Sequence, residues 1–256
     1  MNNMDAKLLA YAERQAPRYT SYPTAPQFGP HIDAARHRAW LGELPESAEL
    51  SLYVHVPYCK KICFYCGCNT NALHDGAAAD YVALVLAEID RVAAVSSAKR
   101  VTELHWGGGT PNILTPDEFT GIFERLAARF DMQAPIAHGI EIDPRHLSAE
   151  LAQTYARLGM TRASVGVQTL APHVQRAIGR VQPFERVAQA VADLRSAGVD
   201  RLSFDLMYGL PGQTLYDLLG TIPQAASLRP QRVSLFGYAH VPWFKRRQRV
   251  IREEDL

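Results

Sequence analysis

Six stretches of the chain alternate apolar and polar residues with a period of two, and five stretches between them repeat apolar residues at helical spacing. The strand-like runs lie at 51–57 (SLYVHVP), 101–106, 137–143, 162–168, 201–207 and 232–239, all rich in β-branched and aromatic residues. The helical runs lie near 79–94, 116–130, 148–157, 184–197 and 214–227. Two of them open on capping signals, Thr115-Pro116-Asp117-Glu118 and Ser148-Ala149-Glu150. Six strands separated by five helices, with short links, call for parallel pairing through right-handed crossovers. The prediction is an α/β fold, a partial (β/α)6 TIM-like barrel.

The alternation also assigns faces. Leu52, Val54 and Val56 on the first strand, and Leu202, Phe204 and Leu206 on the fifth, belong against the helices. Tyr53, His55, His105, Glu141, Ser164, Gln168, Ser203 and Asp205 then point inward. So many polar groups suit a lumen that holds a polar ligand better than one filled by an apolar plug. An antiparallel sheet with one wet face would alternate in the same way, but the intervening helices favour the parallel arrangement.

Composition narrows the class. With 256 residues, 47% hydrophobic and 21% charged, the chain can bury a full core in one domain or two. A net charge of +1 gives no general pull toward nucleic acid or lipid. No apolar run approaches the roughly 20 residues a membrane helix needs. The first residues, MNNMDAKLLAYAERQ, carry charges throughout and lack the apolar centre of a signal peptide, so a reducing cytoplasm is expected. The basic run Lys245, Arg246, Arg247 and Arg249 reads as a solvated face before it reads as a binding surface.

All four cysteines, Cys59, Cys63, Cys66 and Cys68, fall within ten residues. The first three are spaced C-x-x-x-C-x-x-C. Three thiolates at that spacing can hold three irons of a 4Fe-4S cluster and leave the fourth iron open to a ligand. A local four-cysteine zinc knuckle is the alternative, although structural zinc commonly draws on two separated C-x-x-C pairs. Sites in α/β barrels form at the carboxyl ends of the strands, and the cysteine loop follows the first strand directly. The second strand ends in Trp106-Gly107-Gly108-Gly109-Thr110-Pro111, whose glycines let backbone approach a ligand and whose threonine adds a hydroxyl. Each candidate has a plainer reading. Tyr53 could be packing, Glu141 and Asp205 solvent-facing strand ends, Arg180 a surface charge, and His55 is read first as a hydrogen-bonded lumen residue.

The cysteine loop, the GGGTP turn and Glu141 together resemble the radical S-adenosylmethionine (SAM) enzymes. Pro17 to Ala25, Leu52 to Pro57, Cys66-Gly67-Cys68-Asn69, Leu104 to Pro111, Gly166-Val167-Gln168, Asp205 to Pro211 and Tyr238-Ala239-His240 narrow the resemblance to the oxygen-independent coproporphyrinogen III oxidase family, over nearly the whole chain. The resemblance implies that Cys59, Cys63 and Cys66 ligate the cluster, with Cys68 beside it and Tyr53 at the reacting centre. It implies up to two SAM molecules. Tyr53, Gly108 and Glu141 match contacts to the cluster-bound molecule, Gly109, Thr110, Gln168, Arg180, Asp205 and Ala239 match contacts to a second, and Tyr65 is a further cofactor contact. These types suit the task, since carboxylates accept from ribose hydroxyls or an ammonium and Arg180 can pair with a carboxylate.

The activity so implied is anaerobic oxidative decarboxylation of coproporphyrinogen III to protoporphyrinogen IX in haem biosynthesis, by a monomeric cytoplasmic oxidoreductase. A porphyrinogen substrate and an electron donor such as flavodoxin or ferredoxin are the implied partners, with no nucleic acid or membrane. Cys68 and the Arg18-Tyr19-Thr20-Ser21-Tyr22-Pro23 segment favour the oxidase over a haem-binding chaperone of the same superfamily; an inactive cluster-binding remnant is the third reading. The expected organisation is an N-terminal segment packing on the barrel at 1–50, the barrel at 51–242, and at 243–256 the start of a linker to a C-terminal domain absent from this chain.

Overall fold

Numbered along the chain, β1 (Glu49–Val56), β4 (Arg100–Gly108), β5 (Ala137–Ile142), β6 (Arg162–Gln168), β7 (Arg201–Tyr208) and β8 (Arg232–Gly237) form one sheet in the order β1-β4-β5-β6-β7-β8. Every neighbouring pair is parallel, as the crossover rule requires. The remaining strands, β2 (Tyr58–Cys59) and β3 (Asn71–Ala72), pair with each other inside the cysteine loop. The computed structural model describes residues 23, 24, 27–133 and 135–256. Residues 17–22 and 25, part of the family resemblance, lie outside these.

The chain divides into two compact units, 1–40 and 41–256. In the first, Asp33 Oδ1 accepts from the Arg36 amide at 2.8 Å near the start of α1 (Ala34–Gly42), and the Arg36 guanidinium lies 5.5 Å from the Trp40 ring.

The second unit carries the sheet and its helices, α2 (Ala77–Val95), α3 (Pro116–Arg129), α4 (Ala149–Arg157), α5 (Pro172–Ala177), α6 (Phe184–Ala197) and α7 (Leu215–Ser227). The capping signals act as read. Thr115 and Glu118 form a reciprocal capping box at α3, and the Ser148 hydroxyl accepts from the Leu151 amide at α4. Gly198, at φ +98, ends α6 in the left-handed conformation that glycine adopts without strain. Between sheet and helices lies one apolar core. Trp106 meets Phe119 at 4.1 Å between ring centroids and Phe119 meets Tyr155 at 4.8 Å, over a floor of Leu104, Ile140, Val165, Leu202 and Phe204. A buried histidine completes it: Trp106 Nε1 donates to His138 Nε2 at 2.8 Å, and burial holds His138 down to about 4, so it stays neutral.

Val54 and Val56 are buried whereas Tyr53 is 56% exposed, and Leu202, Phe204 and Leu206 are buried whereas Ser203 and Asp205 are half-buried. The polar parity therefore marks the inner face of an open, partial barrel. β8 departs from the pattern. Val233 and Leu235, on its apolar parity, are 46% and 47% exposed, and Phe236 on the other face is 51% exposed. They stay exposed because the chain beyond β8 forms only short 3-10 turns, at Arg246–Val250 and Glu253–Asp255, and supplies no covering helix among the described residues. No helix among the described residues is long and apolar enough to cross a membrane.

Candidate active site at the cysteine loop

β1 delivers the chain to the cysteine loop through Pro57, and the β2–β3 pair closes the loop on itself. The Asn71 amide donates to the Pro57 carbonyl at 2.8 Å and the Leu73 amide to the Cys59 carbonyl at 2.8 Å. The far side docks on the turn after α5, where the Phe64 amide donates to the Ile178 carbonyl at 2.9 Å. The loop is also gripped from the C-terminal segment. Lys245 Nζ donates to the Cys68 carbonyl at 3.3 Å, Arg247 Nη2 to the Thr70 carbonyl at 2.9 Å and Gln248 Nε2 to the Tyr65 carbonyl at 2.8 Å. So Lys245 and Arg247 of the basic run fasten the loop. Residues 243–256 fold back on this unit, with the Gly212 amide reaching the Asp255 carbonyl at 2.7 Å.

Each of the first three cysteine sulfurs faces hydrogen-bond donors. The Thr110 hydroxyl donates to Cys59 Sγ at 3.2 Å, and the Thr70 hydroxyl lies 3.3 Å from the same sulfur. Arg145 Nη2 and Arg180 Nη1 each lie 3.7 Å from Cys63 Sγ. The Cys68 amide donates to Cys66 Sγ at 3.4 Å, and the Cys68 thiol and amide together bring the Cys66 thiol down to about 6 against an upward push from burial. Cys68 itself is an exposed residue, and its contact with Cys66 pushes its own thiol up. Thiolates are acceptors only, so this donor set fits Cys59, Cys63 and Cys66 as ligands and sets Cys68 apart.

The glycine turn lies against this loop. The Gly109 amide donates to the Val56 carbonyl at 2.7 Å; a Cβ there would strike Thr70 Oγ1 and stand 2.6 Å from the Tyr58 carbonyl oxygen. Gly109→Ala is therefore expected to cost about 1–3 kcal/mol by overpacking. Thermal unfolding and iron retention would report it; an unchanged melting temperature with full iron content would count against this packing argument.

On the inner face, Tyr53 stacks on His105 at 6.0 Å with 14° between the rings, and its hydroxyl meets His55 Nδ1 at 3.1 Å. His55 Nε2 faces the Asn69 carbonyl at 2.9 Å, so that nitrogen carries the proton and Nδ1 accepts from Tyr53. His55 thus ties β1 to the cysteine loop, the structural role. Burial, with the charge of Glu141, pushes the Tyr53 phenol up and keeps it a donor. The Gly108 amide donates to Glu141 Oε2 at 3.3 Å, and a Cβ on Gly107 would stand 2.9 Å from both Glu141 Oε1 and the Tyr53 hydroxyl. Asp205 Oδ2 accepts from the Ser164 hydroxyl at 2.8 Å, and burial raises the Asp205 carboxyl. Gln168 ends β6 just past a bulge at φ +63, a strained conformation for a side chain of its kind and typical of binding sites.

Three other candidates are held by their own contacts. Arg180 is buried. Its guanidinium donates to Gln182 Oε1 at 2.9 Å, Asp143 Oδ2 at 3.0 Å and the Gly166 carbonyl at 2.9 Å, besides Cys63. The Tyr65 ring packs with Ala171, Val174, Ile178 and Leu210, and burial pushes its phenol up. Ala239 offers its carbonyl to Gln248 Nε2 at 3.2 Å. Sequence reasoning missed Thr70, Asp143, Arg145, Gln182 and Gln248. Only Asp143-Pro144-Arg145, a charged pair at a strand end, carried a local signal.

A model of the radical SAM superfamily matches residues 53–222, the stretch from Tyr53 through α7. The chain belongs to the radical SAM superfamily. The family implies a 4Fe-4S cluster and SAM, which the donor set at Cys59, Cys63 and Cys66 fits. Among curated relatives, an oxygen-independent coproporphyrinogen III oxidase from Bradyrhizobium diazoefficiens is 45% identical over 250 residues, covering 97% of this chain and 56% of its own. One of the same name from Escherichia coli is 36% identical over 253 residues, covering 98% and 55%. Among solved structures, the radical SAM enzyme coproporphyrinogen III oxidase (HemN) from Escherichia coli matches with a TM-score of 0.89 at 34% identity, over 98% of this chain and 56% of that one. The chain spans about half the length of the relatives it matches.

Proposed function

We propose that this radical SAM chain forms the cluster- and SAM-binding part of an oxygen-independent coproporphyrinogen III oxidase, in which two propionate side chains of coproporphyrinogen III become vinyl groups, each losing a β-hydrogen to the deoxyadenosyl radical, then carbon dioxide and one electron that passes to a one-electron acceptor. The observation that carries the reading is the set of three cysteine sulfurs, each facing its own donors, at the carboxyl end of a parallel sheet in a chain whose curated relatives are named as such oxidases. When bound, the reduced cluster and SAM supply a 5′-deoxyadenosyl radical able to take hydrogen from the substrate.

In this reading the chain's own residues hold and orient. Tyr53, Gly108 and Glu141 line the inner face where the cluster-bound SAM would sit. Gly109, Thr110, Gln168, Asp205 and Ala239 border a place for a second molecule, and Tyr65 supports the loop between. Arg180 has five N–H groups and gives four of them to Gln182, Cys63, Asp143 and Gly166, so one N–H remains for a ligand carboxylate. Thr110 serves Cys59 first. An electron donor such as flavodoxin or ferredoxin, a cytoplasmic setting and a monomer belong to the same reading, with the barrel at 51–242 and the segment 243–256 beyond it. The comparisons do not favour a haem chaperone.

Anaerobic incubation of the reconstituted chain with SAM and a strong one-electron reductant tests the reading. The expected result is 5′-deoxyadenosine, and, with coproporphyrinogen III added, protoporphyrinogen IX. A cluster-loaded chain that forms no 5′-deoxyadenosine would overturn it.

A further inference from the structure

Cys63 is the one fully buried cysteine among the four, and its surroundings differ in kind from those of its neighbours. Cys59 meets neutral hydroxyls and Cys66 a neutral amide. Cys63 meets two guanidiniums, Arg145 Nη2 and Arg180 Nη1, each at 3.7 Å. Both are fixed by Asp143. Its Oδ2 accepts from Arg145 Nη2 at 2.6 Å and from Arg180 Nη1 at 3.0 Å, while Oδ1 accepts from Arg145 Nε at 3.0 Å. Asp143 is immobile in turn. Its amide donates to Asn112 Oδ1 and its carbonyl accepts from Asn112 Nδ2, each at 2.9 Å, and Asn112 is buried.

The charges do not balance within this group. Arg180, buried, and Arg145, largely covered, set two cations against one carboxylate and leave an excess positive charge with little water around it, which is costly unless another anion faces it. The anion in reach is Cys63, which as a cluster ligand is a thiolate. Resting on the proposed cluster, we infer that Arg145 and Arg180, clamped by Asp143, are positioning residues that fix the Cys63 sulfur and raise the reduction potential of the cluster it would hold. Reduction adds negative charge, nearby cations stabilise that state, and hydrogen bonds to cluster sulfurs act in the same direction. Burial leaves little water to screen the effect.

The test is an EPR-monitored redox titration of the reconstituted chain without SAM, with iron content measured alongside, for wild type, Arg145→Gln, Arg145→Lys and Asp143→Asn. For Arg145→Gln the reduced-to-oxidised ratio at the wild-type midpoint is expected to fall about tenfold, equivalent to about 59 mV for one electron. Arg145→Lys, which keeps the charge, stays near wild type. Asp143→Asn, which removes the opposing charge, moves the midpoint to more positive potential. A packing role alone would change iron content and leave the midpoint of the surviving clusters in place, and that result overturns the inference. So do shifts of one sign in Arg145→Gln and Asp143→Asn. Where Arg145→Gln does not fold, the contrast between Arg145→Lys and Asp143→Asn decides. A wild-type chain that assembles no cluster sinks the cluster reading and this inference with it, whereas a cluster with an unmoved midpoint sinks this inference alone.

Discussion

Serine at any one of positions 59, 63 or 66 is expected to abolish stable cluster assembly, whereas Cys68→Ser is expected to retain it. The asymmetry follows from the surroundings of each sulfur. Cys59, Cys63 and Cys66 each lie against donors that stabilise a thiolate, and a serine hydroxyl gives iron a harder, far less acidic ligand. Cys68 is exposed, and its amide already serves as a donor to Cys66 Sγ. Iron and acid-labile sulfide per chain after anaerobic reconstitution, read with the visible absorbance, separate the four variants. Full iron in Cys63→Ser, or iron loss in Cys68→Ser equal to that in Cys66→Ser, would contradict the assignment.

Asp143→Ala should cause the largest loss of stability, about 3–5 kcal/mol, because it leaves the buried Arg180 and the largely covered Arg145 without their shared partner. In a chain of this size that amounts to a fall in melting temperature of roughly 6–20 °C. The same carboxylate gives an acid signature. Burial pushes its pKa up, but the Arg180 charge and the Arg145 hydrogen bonds outweigh that and hold it at about 2, below the ordinary 3.8. A folded-state value below the unfolded one means stability that is present in full above about pH 4 and lost as pH falls through about 2, worth about 2 kcal/mol. Urea unfolding of the cluster-free chain between pH 5 and 2 checks both parts. Asp143→Ala should start lower and decline less steeply; a parallel decline in variant and wild type would show that the carboxylate is not responsible.

The parts of the fold that were legible in the sequence are those governed by local periodicity. Alternation along 162–168 and 201–207 marked which residues of β6 and β7 are buried, because a strand with a helix layer on one side and a lumen on the other must alternate. Thr115 and Ser148 marked helix starts because a cap is satisfied within four residues. What escaped is non-local or short. α5, six residues from Pro172, is too brief for a helical repeat to show, and the two-residue β2 and β3 exist only because the cysteine loop closes. The family resemblance gives Arg180 a ligand contact, and the sequence shows nothing of the residues that hold it. Its packing against Asp143 and Cys63 joins residues 37 and 117 positions apart, which no local pattern encodes. β8 alternated like its neighbours, yet alternation reports which side could be covered and says nothing about whether anything covers it.

That uncovered strand governs how the chain behaves in a crowded solution. β8 is the last strand of the sheet among the described residues, with Val233 and Leu235 exposed on one face of it and Phe236 on the other. A row of unpaired backbone donors and acceptors flanked by bare hydrocarbon is a template for another strand. Nothing in the sheet distinguishes a proper covering segment from the same rim of a second copy. While that rim is free, conditions that concentrate the chain enough for spectroscopy also favour strand-to-strand association, and a charged residue at Val233 or Leu235 would act as a gatekeeper without touching the cysteine loop.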